Sequence, residues 1–245
     1  MVVAHTKRTL LMKAVKAQNV DITLFLLSRG APVNDFSDIS GTALHIAIEN
    51  DDLDMINILL QEGAGVNIVD AAQFHSALHK SVWRKNIELA TLLLEHGAAV
   101  DSPNASGETP LQLAFGRGGI DLVQQLLDRG AEVNTSPSQT YMGHGTALQL
   151  AAVHSHFNIA RLLIENGADI NVPPPLASSV DDARVATALQ RAAKLGRMDI
   201  VSLLLQNDRD RDMIQVRCKE AAAIATRGGH HVVARILRDY NPLRT

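Results

Sequence analysis

Aromatic residues are scarce: Phe, Trp and Tyr together make up 3% of the 245 residues. A single deep core in a chain of this length would normally draw on more of these bulky side chains. There is one cysteine, Cys218, which excludes an intrachain disulfide and points to a reducing compartment, the cytoplasm or the nucleus. No uninterrupted run of 18 apolar residues occurs, which argues against a membrane-spanning helix. The opening MVVAHTKRTLLMKAV has no long apolar stretch of the secretory kind. A positive global field is also missing: the formal net charge is −3, with a pI of about 6.3. That argues against a nucleic-acid binder. What is abundant is small and medium apolar side chains. The apolar fraction is 46%, most of it Ala, Leu, Val and Ile, the residues of thin helices that pack closely.

Those residues recur in phrases. LLSRGAPVN (26–34), LLQEGAGVN (59–67), LLEHGAAVD (93–101), LLDRGAEVN (126–134) and LLIENGADIN (162–171) place glycines at 30, 63, 97, 130 and 167. The spacings are 33, 34, 33 and 37 residues. A second phrase starts 21 residues before each glycine: TLLMKAV (9–15), TALHIAI (42–48), SALHKSV (76–82), TPLQLAF (109–115) and TALQLAA (146–152). It returns as TALQRAA (187–193), followed by IVSLLLQND (200–208), where Asp208 replaces the glycine. A weaker seventh copy spans 220–237. Each opening Thr or Ser can cap a helix, and Pro110 stands one position later, where its missing N–H costs nothing. The second segment, as in DLVQQLLDRG (121–130), carries a helical apolar stripe and ends in a glycine suited to a left-handed cap. No such pair of short helices can bury its apolar faces alone, so stacking must supply the core.

These phrases resemble the ankyrin repeat, with its period of 33 and its T-P-L-H-x-A signature. The resemblance covers about residues 8–238 and implies an all-α ankyrin-repeat solenoid of helix, turn, helix and projecting finger, with no strand. The expected organisation is one domain over 1–245. Its units lie near 8–36, 37–70, 71–103, 104–137, 138–173 and 174–212, with a capping unit at 213–240. Lys13 and Lys16 at one end, and Arg227, His230, His231, Arg235 and Arg238 at the other, fit polar terminal repeats. Two connections are long, within 135–145 and 172–186, and should lengthen two neighbouring fingers.

In this family partners are usually met by the fingertips and by two positions near the end of each first helix. Here those positions are Lys16 and Ala17, Glu49 and Asn50, Trp83 and Arg84, Gly116 and Arg117, Val153 and His154, and Lys194 and Leu195. The row holds the only Trp and mostly basic charge. With finger residues Tyr141, Met142, His144 and Arg184, it implies a monomer binding another protein that is acidic around an apolar anchor. The alternative is a cofactor-independent enzyme using His144, His154, Tyr141 and Arg117. No Cys-x-x-Cys or His-Glu-x-x-His pattern is present, so no metal or other cofactor is expected. The resemblance gives His45 and His79 a structural role, and the Gly-rich 116–119 reads as a turn between helices, not a phosphate loop.

Overall fold

The opening Thr and Ser of each phrase do cap helices. In the computed structural model the side chains of Thr9, Ser76, Thr146 and Thr187 accept the backbone N–H three residues on. At Thr42, Thr146 and Thr187 the third helical residue (His45, Gln149, Gln190) reaches back to the cap and completes a reciprocal box. The structure describes residues 8–38, 40–69, 76–116, 119–135, 138–140, 143–172 and 186–241.

Among the described residues seven helix pairs follow in order: α1 (Leu10–Lys16) and α2 (Val20–Ser28), α3 (Ala43–Glu49) and α4 (Leu53–Gln61), α5 (Ala77–Arg84) and α6 (Ile87–Glu95), α7 (Pro110–Gly116) and α8 (Ile120–Asp128). A short antiparallel hairpin, β1 (Ser138–Thr140) with β2 (Gly143–Gly145), precedes α9 (Ala147–His154) and α10 (Phe157–Glu165). Then come α11 (Ala188–Lys194) and α12 (Met198–Asn207), and last α13 (Ile214–Arg227) and α14 (His231–Asp239). The hairpin corrects the expectation of no strand. It lies inside the first long connection, where the extra residues give the chain length enough to fold back on itself, with Gln139 opposite His144. The chain divides into two compact bodies, 1–105 and 106–245.

Helices of seven to nine residues are marginal in isolation, so packing must hold them. The first body buries Leu44, Ile48, Met55, Leu59, Leu78, Leu89 and Leu93. The second buries Phe115, Leu126, Leu148, Leu163, Leu204 and Ala222. The alanines that open first helices, such as Ala43, Ala77, Ala147 and Ala188, are fully buried, and their small size lets neighbouring helices approach.

The five phrase glycines adopt φ between +80° and +84°. A Cβ at any of them would meet nothing within 4 Å, so glycine is required by the left-handed backbone and not by space. Asp208, which stands in their place in the sixth pair, leaves α12 in an extended conformation at φ −76° and ψ 110°. The chain then takes a different path, and α13 starts at Ile214, six residues before the weak seventh phrase, and runs 14 residues.

Candidate functional site

The ends of the first helices in the first body are laced together by side chains. Backbone carbonyls at a helix C-terminus lack intrahelical partners. Asn50 donates its amide to the carbonyls of Val15 (3.2 Å) and Lys16 (3.5 Å) at the end of α1. Arg84 does the same for α3, donating to Ile48 O and, at 3.4 Å, to Glu49 O. Its guanidinium also meets the Glu49 carboxylate at 3.0 Å. The other oxygen of Glu49 takes Lys80 Nζ at 2.6 Å. Lys80 is 6% exposed, so its charge is held in a poorly solvated position and needs that carboxylate. Beside this network Trp83 stands 56% exposed, a large apolar ring at the tip of α5. Lys85, the next residue, closes α5 in the left-handed conformation, φ +57°.

Glu49, read as a lone acid in a basic row, is the hub that two cations share. Lys80 was missed because a lysine in mid-helix normally reads as solvent-facing. Its repeat position is the signal: the equivalent residues Ile46, Leu113 and Leu150 are apolar and buried. Arg191 is the counterpart in the second body, 2% exposed, with its Nε donating to Ala186 O at 3.0 Å. A Cβ placed on Gly145 would lie 3.1 Å from the Arg191 guanidinium, so Arg191 packs directly against the β2 strand.

In the second body the row holds Val153 and His154 at the end of α9, half-buried, with Lys194 half-buried and Leu195 exposed at the end of α11. The rings of His154 and His156 stack with centroids 6.0 Å apart. Burial holds His154 below the ordinary imidazole range, and its Nε2 has no hydrogen-bond partner among the described residues. Arg117, Tyr141, Met142 and Arg184 lie outside the described residues, as does the side chain of His144, whose backbone pairs in β2. The described residues thus bring together Glu49, Asn50, Trp83 and Arg84 in one body and set His154 in the other.

Histidines read as structural are used that way. The Thr42 N–H donates to His45 Nδ1 at 3.2 Å, and the Ser76 hydroxyl lies 2.8 Å from His79 Nδ1. Cys218 is buried in α13, and burial pushes its thiol up to about 11, which leaves it protonated and inert at neutral pH. Among the described residues no group of three or more His, Cys, Asp or Glu side chains is placed to hold a metal ion. No described helix is long and apolar enough to cross a membrane.

Comparison with known proteins follows the same repeats. A family model described as ankyrin repeats (3 copies) matches residues 2–70, 62–137 and 78–174. A second, ankyrin repeats (many copies), matches residues 148–205. No curated protein matches the sequence. Among solved structures, the crystal structure of the human ASB11 ankyrin repeat domain superposes with a TM-score of 0.67 at 21% identity, covering 96% of this chain and all of that one. At that identity the likeness speaks for the fold.

Proposed function

This chain belongs to the ankyrin-repeat family, and from that premise we propose that it binds a partner protein through the tips of its first helices, with Trp83 as the anchor. The family's fold serves in general as a protein-interaction module, and a fold alone names no partner. The observation that carries the proposal is the combination at α5: an indole more than half exposed, next to side chains already fixed by hydrogen bonds. A pre-ordered surface loses little entropy when a partner docks. Trp and Arg are also the residue types most enriched among binding hot spots. Lys80 and Arg84 both meet the Glu49 carboxylate, which fixes the surface beside the indole. The partner that fits offers an apolar side chain to Trp83 within an acidic surface, in keeping with the mostly basic row. Arg117, Tyr141, Met142, His144, His154 and Arg184, which belong to the second body, are proposed separately as its binding residues.

Quantitative affinity capture from cell extract, comparing the protein with Trp83→Ala, tests it. The expected result is a prey protein whose capture falls about thirtyfold with Trp83→Ala, while the melting temperature stays within a few degrees. Equal capture by both forms would remove Trp83 from the binding surface.

A further inference from the structure

α2 shows solvent a face that later repeats keep covered. Ile22 is 50% exposed, whereas the residues at its position in later pairs, Met55, Leu89, Ile159 and Ile200, are at most 2% exposed. Leu10, the first residue of α1, is 70% exposed, whereas Ala43, Ala77, Ala147 and Ala188 at that position are at most 1% exposed. Both positions are covered wherever another repeat precedes them in the same body, so in the first pair they lie on the side turned away from α3. Phe25, 57% exposed, belongs to the same face. On a helix with 100° per residue, Asp21, Ile22, Phe25 and Arg29 fall within a stripe about 100° wide.

The charges in that stripe say what fits it. Asp21 and Arg29 are exposed and stand four residues before and four after Phe25. The Arg29 guanidinium leans over the Phe25 ring, 5.1 Å from its centroid. In an antiparallel pairing of two α2 helices about a two-fold axis at Phe25, each Asp21 meets the Arg29 of the other copy, about 6 Å along the axis from the ring. A parallel pairing would set Asp21 against Asp21, so the stripe is self-complementary in one direction only.

We propose that two copies of this chain associate through α2, antiparallel, with Phe25 and Ile22 at the centre and reciprocal Asp21–Arg29 pairs at the ends. This replaces the monomer expected from the sequence. The apolar patch is on the order of 400 Å² per copy, about half of what a standard interface buries on each side. The dimer is therefore weak, with a dissociation constant on the order of 100 µM.

Sedimentation equilibrium of the full chain from about 10 to about 500 µM reads this directly. The expected result is a monomer–dimer equilibrium that Phe25→Glu shifts at least tenfold toward monomer at unchanged helicity. Asp21→Arg and Arg29→Asp should each weaken association several-fold, and the double variant Asp21→Arg/Arg29→Asp should restore it. A chain that stays monomeric throughout the range overturns the proposal. So does a double variant no better than either single one, because reciprocal pairing requires the rescue.

Discussion

Asn67 and Asn171 stand at the same place in their repeats but meet different partners. Asn67 donates its amide to Gly97 O at 3.0 Å and accepts the Ala99 N–H at 2.8 Å. The same pair of bonds recurs at Asn34, with Gly63 O and the Gly65 N–H, and at Asn134, with Gly167 O and the Asp169 N–H. These joints use backbone groups that the left-handed glycine turns outward. At Asn171 the glycine is gone, and the amide donates to the carboxylate of Asp208 at 3.1 Å. That carboxylate is 3% exposed and is held by Arg217 through Nε at 3.1 Å and Nη2 at 2.7 Å. Arg217 reaches on to Asp210 at 2.9 Å. The last joint therefore uses a buried charge pair where the others use neutral backbone. It also continues into a longer cap, in which the Tyr240 hydroxyl donates to Leu205 O at 3.0 Å and Gln215 donates to Tyr240 O. Repeats of one ancestry can thus be tied in a tolerant way or in a brittle way, and the difference should show in stability.

The largest effect is expected at the charge pair. Arg217→Met strands the Asp208 carboxylate in its poorly solvated position, where a lost partner costs about 3 kcal/mol. The 16% exposure of Arg217 keeps the figure at the low end of that range. Urea unfolding followed by circular dichroism measures it. A loss under about 1 kcal/mol would mean that water reaches Asp208 and that the two kinds of joint are energetically alike.

The neutral joints should be milder. Asn67→Ala removes one donor and one acceptor at an exposed site, for about 1 kcal/mol. Asn34→Ala and Asn134→Ala should cost about the same, and the pair should add to within about 0.5 kcal/mol because they share no partner. Strong non-additivity in the same urea measurement would show that these joints act as one network.

The Asn joints went unread in the sequence although they leave a repeated signal there, whereas the Asp208 joint leaves none, for a physical reason. A neutral joint uses residues at fixed offsets in the repeat, so the A-x-V-N phrase and its glycine recur with it. Arg217 lies outside any repeated phrase, and nothing in Asp208 alone names a partner nine residues on. The outward placement of Trp83 was readable because helical register fixes direction. The burial of Lys80 and Arg191 was hidden, since a long basic side chain reads as solvent-facing until its neighbours are known. The exposed face of α2 was hidden for the converse reason: apolar residues read as core unless the stack is seen to stop covering them. The hairpin at 138–145 escaped because three-residue strands leave almost no periodic signal.

Acid separates the two kinds of joint further. The hydrogen bond from Arg217 holds the Asp210 carboxyl below its ordinary value of 3.8. A depressed carboxylate contributes stability above its unfolded value and loses it as pH falls through the folded value. No side chain that forms the Asn34, Asn67 or Asn134 joints titrates in that range. Hydrogen exchange between about pH 5 and pH 3 should show α13 losing protection as pH drops below about 4. In Arg217→Met the largest cause of the depression is gone while the backbone N–H of Met213 still holds the carboxyl, so the acid loss should shrink. An acid response unchanged by the variant would remove Asp210 from the joint's pH dependence.

The smallest effect tests whether acid sensitivity in 106–245 belongs to the joint alone. His154 lies in the same body but titrates in another window. Burial disfavours its charged form, so its folded value sits below the ordinary 6.5. Here the unfolded chain takes up the proton first. Stability is therefore complete above about pH 7, falls as pH drops from there to the folded value, and levels off below it. Asp210 does not respond until the solution is far more acidic, so the two contributions separate along the pH axis. An NMR titration of the His154 ring should give a midpoint below 6.5. Replacing His154 with Gln should flatten the stability profile between pH 7 and that midpoint while leaving the response below pH 4 intact. A midpoint at or above 6.5 would mean that the ring is solvated or paired, contrary to its stacked, half-buried position against His156.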